Sequence, residues 1–288
     1  MNESDEKSRN DRIFCWEQVA RTIPVFRVSR AFASQDDASR LLPLYALFSI
    51  IDQINAGYSD DEIARSKLDW WRIETSQEKL RLSQHPVLRE LVRTGGVDHL
   101  SKESVDSLLN GAESRLDARS PVDISDLLVI CEQLQRPRLD LEISICKASP
   151  AVVNIPSGYL QRSGLFQLLR ESVKRKEQGA FWWVPLNLLA KYSINRDELG
   201  SHSGSAGLSA LLNEIQTESR LQAEMSPKDF RNVPEITVLR HYFALNGLYA
   251  AKFKRLGKAM LAKGGAEFDR IRVSDLYTAW RSARRFDY

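Results

Sequence analysis

The strongest constraint in the sequence is an apolar stretch, Leu41-Leu-Pro-Leu-Tyr-Ala-Leu-Phe-Ser-Ile-Ile-Asp52-Gln-Ile-Asn-Ala56. It carries no charge before Asp52. A membrane span needs about 20 apolar residues, so this shorter run predicts a helix buried in a globular core. Asp52 is therefore either a metal ligand at the inner end of that helix or a carboxylate that caps or pairs within the core.

The composition is that of an ordinary globular protein. The 288 residues are 43% hydrophobic and 27% charged, which is enough for one large domain or two small ones. The formal net charge of +3 is too small to indicate a protein that binds nucleic acid, so we expect no nucleic-acid partner.

The spacing of cysteines and histidines argues against disulfides and against a zinc site. Cys15, Cys131 and Cys146 form no Cys-x-x-Cys pair, which favours a reducing compartment. The histidines also lack the spacing of a metal-binding motif. They are His85, His99, His202 and His241.

The first eleven residues are polar and acidic, unlike a secretory signal or a transit peptide. We interpret residues 1–11 as a disordered tail and residues 12–288 as the folded domain. We expect the protein to be cytoplasmic, with peripheral contact to a membrane as an open possibility.

Helical signals dominate the remaining sequence, and we predict an all-α fold. Asp36 and Asp37 are good caps for the apolar helix, and Ser59 to Glu62 has the spacing of a capping box. No stretch alternates as a strand would, and no fixed-period repeat is present. Residues 200–207, rich in glycine and serine, predict a linker rather than a phosphate loop. Further helices are predicted over residues 59–80, 85–93, 101–116, 123–134 and beyond, 159–176, 205–225, 237–263 and 273–286.

Three groups of residues form recognisable motifs. The first is a Ser-x-x-Phe segment, then a Tyr-Ala pair and, seven residues after the tyrosine, an aspartate; these residues are Ser29, Phe32, Tyr45 and Asp52. The second, in residues 67–86, joins a Leu-x-x-Trp-Arg segment to a His-Pro pair. The third, in residues 167–189, contains Gln-Leu-Leu-Arg-Glu and later Val-Pro-Leu.

In their order and spacing these motifs resemble those of the squalene/phytoene synthase family, over most of residues 26–190. The resemblance implies a single-domain, isoprenoid-synthase-like helical bundle. It further implies head-to-head condensation of prenyl diphosphates, which Mg²⁺ ions hold against carboxylates on two facing helices. The resemblance points to Ser29, Phe32, Tyr45, Gln167 and Arg170 as candidates for binding substrate or an anion, and the positive charge of Lys174 and Arg175 adds these two residues as candidates.

The sequence departs from this family pattern at the acids. The family's Asp-Asp-x-x-Asp is Asp52-Gln-Ile-Asn-Ala56 here, so one carboxylate of three remains. Its Arg-Asp-x-x-x-Asp is Arg170-Glu171-Ser-Val-Lys-Arg175, and a further family acid corresponds to Arg115. A site with so few acids is poorly suited to Mg²⁺. We therefore expect Asp52 and Glu171 to be vestigial, with no catalytic residue, metal or cofactor assigned.

These departures are similar to those of degenerate relatives in bacteria and mitochondria, of which the mitochondrial ones are assembly factors for respiratory complex I. The resemblance thus implies a non-catalytic assembly, scaffold or lipid-binding role, with a protein or an isoprenoid lipid as partner. Gln135 and Leu139, which correspond to small residues in the family, also predict that a tunnel for prenyl chains is filled.

Two other functions remain open. An active prenyltransferase would rebuild its Mg²⁺ site from Asp52, Glu171 and a nearby acid such as Glu113 or Asp69. A carrier would hold a lipid or an isoprenoid in the old cavity without chemistry.

The basic residues of the second acidic helix also have two interpretations. In the simpler one, Arg175 forms a salt bridge with Glu171, four residues earlier. In the other, Arg170, Lys174 and Arg175 form an anion site that works without a metal.

The C-terminal residues are basic and aromatic. Residues 277–286 read Tyr-Thr-Ala-Trp-Arg-Ser-Ala-Arg-Arg-Phe. This pattern is typical either of a solvated helix face or of a contact with a membrane or an acidic partner.

Overall fold

The computed structural model describes residues 3–57, 60–117, 119–146, 155, 157–175, 182–195, 206–221, 239–261 and 270–284. In this part of the chain every regular element is a helix and no strand occurs, which confirms the all-α prediction. Short 3-10 turns follow α2 and α5. The α-helices are α1 Glu3–Thr22, α2 Phe26–Ser29, α3 Gln35–Gly57, α4 Asp61–Glu74, α5 Pro86–Arg93, α6 Lys102–Ser114, α7 Ile124–Ile145, α8 Ser157–Arg175, α9 Leu186–Lys191, α10 Ala206–Leu221, α11 Arg240–Leu261 and α12 Val273–Arg284.

The apolar stretch at residues 41–56 forms most of α3, which lies at the centre of the first half of the fold. It packs against α1, α4, α5, α6 and α7, and its apolar side chains are buried almost without exception. The helix begins earlier than predicted, because Ser34 caps it: the Ser34 hydroxyl accepts a hydrogen bond from the backbone N–H of Asp37 at 3.1 Å. Asp36 and Asp37 lie in the first turn instead, where the helix dipole favours acids.

The prediction of a disordered tail over residues 1–11 is wrong for residues 3–11, which form the first half of α1. Asp11 is buried there and accepts two hydrogen bonds from Arg89 on α5, one of them 2.8 Å long. Because these partners are 78 residues apart, the composition of the first eleven residues gives no sign of the pairing.

The second half of the fold is built on α7, α8 and α11. The helix α8 packs between the other two, and α10 and α12 both pack against α11. Two hydrophobic clusters fill the spaces between these helices. Among the described residues, no helix is both long and apolar enough to cross a membrane.

Several predicted helices differ from the structure in extent. The helix predicted over residues 59–80 ends at Glu74, and the sequence missed α1, α2 and the six-residue α9. Of the linker predicted at residues 200–207, only Ala206 and Gly207 belong to the described residues, and they begin α10.

Helices α7 and α8 approach each other closely at Gly164. A Cβ atom at this position would lie 2.6 Å from Cys131 Cβ and 2.8 Å from the Cys131 carbonyl oxygen. Neither atom belongs to a flexible side-chain end, so a larger residue forces the helices apart.

We predict that Gly164→Ala lowers the free energy of unfolding by about 1–3 kcal/mol because of this overpacking. Gly111→Ala is the matched control, since a Cβ atom at Gly111 in α6 meets nothing within 4 Å. It should raise stability by about 0.5–1 kcal/mol through the better helix propensity of alanine. Urea denaturation measures both changes, and equal stability of the two variants would contradict the close approach of α7 and α8.

Candidate functional site

The structure places Asp52 against an arginine that the sequence interpretation missed. The two guanidinium Nη atoms of Arg138 on α7 donate to the two carboxylate oxygens of Asp52 on α3, with Nη1 to Oδ2 at 3.1 Å. Arg138 also lies over the ring of Phe48, with 5.3 Å between Cζ and the ring centroid. This is the two-pronged contact that arginine makes best with a carboxylate.

Glu171 on α8 joins the same group through a second arginine. Arg115, the C-cap of α6, donates from Nη2 to Glu171 Oε2, and its Nη1 lies 3.7 Å from Asp52 Oδ1. Gln167 Nε2 donates to both acids, to Asp52 Oδ1 at 2.7 Å and to Glu171 Oε1 at 3.0 Å. We call these five residues, Asp52, Glu171, Arg115, Arg138 and Gln167, the acid–arginine cluster.

The amide of Gln167 is held in the orientation that suits the acids. Gln135 on α7 donates from Nε2 to Gln167 Oε1 at 2.7 Å, which leaves the Gln167 nitrogen facing the carboxylates. Helices α3, α6, α7 and α8 therefore meet through one connected network of hydrogen bonds.

The charges of the acid–arginine cluster balance, with two carboxylates against two guanidinium groups. The four charged side chains are only 9–19% exposed, so each charge depends on its partner for compensation. Burial lowers the pKa of Arg138, but the Asp52 carboxylate outweighs this effect, and the pKa stays above its ordinary value.

The residues of the cluster do not fit a magnesium ion. All four carboxylate oxygens of Asp52 and Glu171 already accept hydrogen bonds from guanidinium or amide groups. Magnesium prefers several oxygen ligands in octahedral geometry. In the described parts of the chain, no group of three or more His, Cys, Asp and Glu side chains could hold a metal ion.

The further acids that a rebuilt metal site would need, Glu113 on α6 and Asp69 on α4, are paired with arginines of α4. Glu113 accepts from Arg65 at 3.1 Å and from Arg72 at 2.5 Å, and Asp69 accepts from Arg72 at 2.7 Å. These pairs lie outside the hydrogen-bond network of the cluster.

The residues expected from the first motif have other roles. The Ser29 hydroxyl is buried and donates to the carbonyl oxygen of Phe26 at 3.2 Å, while Phe32 lies half-buried against the core. The Tyr45 hydroxyl donates to Glu142 Oε1 on α7 at 2.8 Å. The structure thus brings Gln167 to Asp52 and Glu171, whereas Ser29 and Tyr45 make their hydrogen bonds elsewhere.

The basic residues predicted on α8 are only partly described. Arg170 is buried and donates to the carbonyl oxygen of Arg21 at 3.2 Å. The backbones of Lys174 and Arg175 end the helix, but their side chains lie outside the described part. Both the Glu171–Arg175 salt bridge and the anion site with Arg170 and Lys174 stay predictions, although Glu171 has found a partner in Arg115.

Little space remains on the side of the cluster that faces Gln135 and Arg170, whereas Arg115 on the other side lines a groove of about 880 Å³. A cavity of about 40 Å³ is lined by Gln135, Arg138, Arg170 and Lys252 among others. This volume holds a few water molecules, whereas sites for small organic ligands measure about 300–1,000 Å³. Leu139 is buried in a hydrophobic cluster with Phe243, and the filled tunnel that its size predicts stays a prediction.

A second buried polar group lies one turn further along α7. His241 Nε2 on α11 is 3.0 Å from the Tyr45 hydroxyl and 3.7 Å from Glu142 Oε2. Burial raises the pKa of Glu142 to about 8 and lowers that of His241 to about 4. At neutral pH both side chains are therefore mostly uncharged.

The sequence contained a signal for the residues that the motifs missed. On α7, polar residues continue the inward-facing positions of Leu128 and Cys131 in steps of three and four residues. A charged residue in such a position needs a buried partner. These polar residues are Gln135, Arg138 and Glu142.

We predict that Arg138→Met lowers the free energy of unfolding by about 3 kcal/mol, because it leaves the Asp52 carboxylate buried without its main partner. The double variant Asp52→Asn/Arg138→Met should recover most of this loss. Arg81→Met, which breaks an exposed pair with Asp98, is the control and should cost less than about 1 kcal/mol. Chemical denaturation gives the values, and a small effect of Arg138→Met would contradict the importance of the cluster.

We also predict that stability falls as the pH rises from 6.5 to about 8. In this range the folded protein still holds the Glu142 proton, whereas the unfolded chain, with its ordinary pKa of 4.5, has released it. His241 acts in the opposite direction, but only between about pH 4 and 6.5. Glu142→Gln keeps an acceptor for Tyr45 and should remove this decline in urea denaturation across the range. A decline that persists in Glu142→Gln would exclude Glu142 as its source.

Comparison with known proteins agrees with this architecture. The family model for squalene/phytoene synthases matches residues 24–273. A crystal structure of a dehydrosqualene synthase in complex with ligand superposes with a TM-score of 0.73 at 13% identity, covering 98% of this chain and 99% of that one. A crystal structure of the squalene synthase HpnC from Alicyclobacillus acidocaldarius superposes with a TM-score of 0.60 at 16% identity, covering 88% of this chain and 93% of that one. A search of curated proteins found no match. The chain belongs to the squalene/phytoene synthase family.

Proposed function

We propose that this chain is a non-catalytic member of its family, which acts in assembly or as a scaffold by binding a partner. The observation that carries the proposal is the complete pairing of Asp52 and Glu171 with Arg115, Arg138 and Gln167. In this proposal two arginine side chains provide the positive charge that metal ions provide in a prenyltransferase.

Electrostatics supports this proposal. A Mg²⁺ ion attracts a diphosphate only where acids give it ligands, but here each acid is already neutralised by a buried guanidinium group. To bind the ion, the protein would have to separate these pairs and leave the arginines uncompensated in a buried position, which costs several kcal/mol per charge. The cavity of about 40 Å³ is too small for a prenyl diphosphate, so a substrate would have to reach the cluster from the groove of about 880 Å³ that Arg115 lines.

The outer surface offers larger spaces for a partner. A groove of about 880 Å³ lies between α6 and α7, and its lining residues include Trp182 and Arg115 of the acid–arginine cluster. Another, of about 620 Å³, is lined by Trp70, Trp71 and His85. Both are in the size range of binding sites, which favours a function through binding at the surface.

The alternative is an active prenyltransferase of the squalene/phytoene synthase type that acts on prenyl diphosphates with Mg²⁺. One observation favours it: Asp52 and Glu171 lie close enough to share Gln167 as a hydrogen-bond donor. A metal would then have to displace Arg115 from between the two acids.

We predict that the protein releases no pyrophosphate when incubated with Mg²⁺ and farnesyl or geranylgeranyl diphosphate, because its acids are neutralised. A coupled pyrophosphate assay with product extraction measures this. Asp52→Asn is the matched variant, since it removes the charge but keeps the size of the side chain. Steady turnover by the native chain that Asp52→Asn abolishes, with the fold intact by circular dichroism, would refute the proposal in favour of the enzyme.

A further inference from the structure

Helix α12 is attached to the protein through small and buried residues. Ala279 and Ala283 face α11 and are almost completely buried. A Cβ atom at Gly247 on α11 would lie 2.7 Å from Ser282 Cβ, which shows how closely the two helices approach. At the start of α12, the buried Asp275 accepts hydrogen bonds from Arg255 and from the backbone N–H of Arg272. This inner face accounts for the attachment of the helix.

The large apolar residues of α12 lie on its outer face. Val273, Leu276, Tyr277 and Trp280 follow in steps of three or four residues, and their exposed fractions range from 44% to 84%. The rings of Tyr277 and Trp280 stack with 5.9 Å between their centroids. Because the inner face already holds the helix, these side chains are not needed for its packing.

Arginines flank this apolar face at both ends. Arg270 and Arg272 precede the helix, and Arg281 and Arg284 end it, all four being exposed. The Arg284 guanidinium lies 5.2 Å from the ring centroid of Trp280. Within residues 270–284 Asp275 is the acidic residue, and its carboxylate points inward to Arg255. Within the described residues 270–284, the outer face therefore combines apolar and aromatic side chains with positive charge.

We infer that the outer face of α12 binds the surface of a membrane that contains anionic lipids. Tyrosine and tryptophan favour the boundary between lipid headgroups and acyl chains, and arginine binds lipid phosphates. No residue of this face lines either of the two large grooves described above, and its arginines are complementary in charge to anionic lipid headgroups. The inference goes beyond the proposed function and does not depend on whether catalysis is lost.

Vesicle flotation with the full-length chain tests the inference. Vesicles of equal parts phosphatidylglycerol and phosphatidylcholine should bind the protein at low salt and release it as NaCl is added, because salt screens the attraction. Vesicles of phosphatidylcholine alone should bind it weakly. Equal binding to the two kinds of vesicle would overturn the inference.

Two variants of α12 separate its contributions. Tyr277→Ser/Trp280→Ser should lower the partition onto anionic vesicles by roughly tenfold through lost apolar burial. Arg281→Gln/Arg284→Gln should lower it by roughly fivefold per arginine and reduce its salt dependence. Because these side chains are exposed, circular dichroism and the thermal midpoint should stay unchanged. Binding that survives both variants would exclude α12 as the contact.

The matched control is Ile63→Ser/Ile73→Ser, which removes similarly exposed apolar side chains from α4. It should leave vesicle binding unchanged, and an equal loss in this control would overturn the inference. Analytical ultracentrifugation of the native chain and of Tyr277→Ser/Trp280→Ser tests whether the outer face of α12 binds a second copy of the chain. Self-association that these two substitutions abolish would assign the face to a dimer instead of a membrane.

Discussion

Charge compensation between two acids and two arginines is the interaction on which the centre of this protein depends. Asp52, Glu171, Arg115 and Arg138 come from four different elements, and each is largely buried. A buried charge is tolerated only with a partner at hydrogen-bonding distance. The positions of α3, α6, α7 and α8 are therefore coupled, since a shift of any one of them leaves a charge without compensation.

A second polar contact links α3 to α7 and sets their register. Tyr45 bonds to Glu142, and seven residues later on α3 Asp52 bonds to Arg138, which lies four residues earlier on α7. The position of the contact moves forward along α3 and backward along α7, so the two helices are antiparallel here. The Asp52–Arg138 contact is compensated by opposite charges, whereas the Tyr45–Glu142 contact is kept neutral by the raised pKa of Glu142. A slip of either helix would break both contacts, although the surrounding apolar packing would tolerate many positions.

The sequence predicted the fold well because helices are encoded locally. The period of apolar residues and the capping residues indicated most of the helices, and the family motifs led to Asp52, Gln167 and Glu171. What the sequence did not reveal depends on pairs that are far apart in the chain. Asp11 meets Arg89 across 78 residues, and Arg138 meets Asp52 across 86. Local composition indicates that such a residue needs a partner but not which one it finds.

Arg115 illustrates how far a family comparison leads and where geometry is needed. The comparison identified it as a cation at the position of a family acid, which predicts the loss of a metal ligand. The structure adds that its guanidinium group lies between Asp52 and Glu171. Two acids so close together repel each other and need a cation between them. In the non-catalytic function that we propose, where no metal binds between the acids, the protein must either lack some of these acids or provide a positive side chain. This chain has alanine at position 56 and arginine at position 115, and so it combines both solutions.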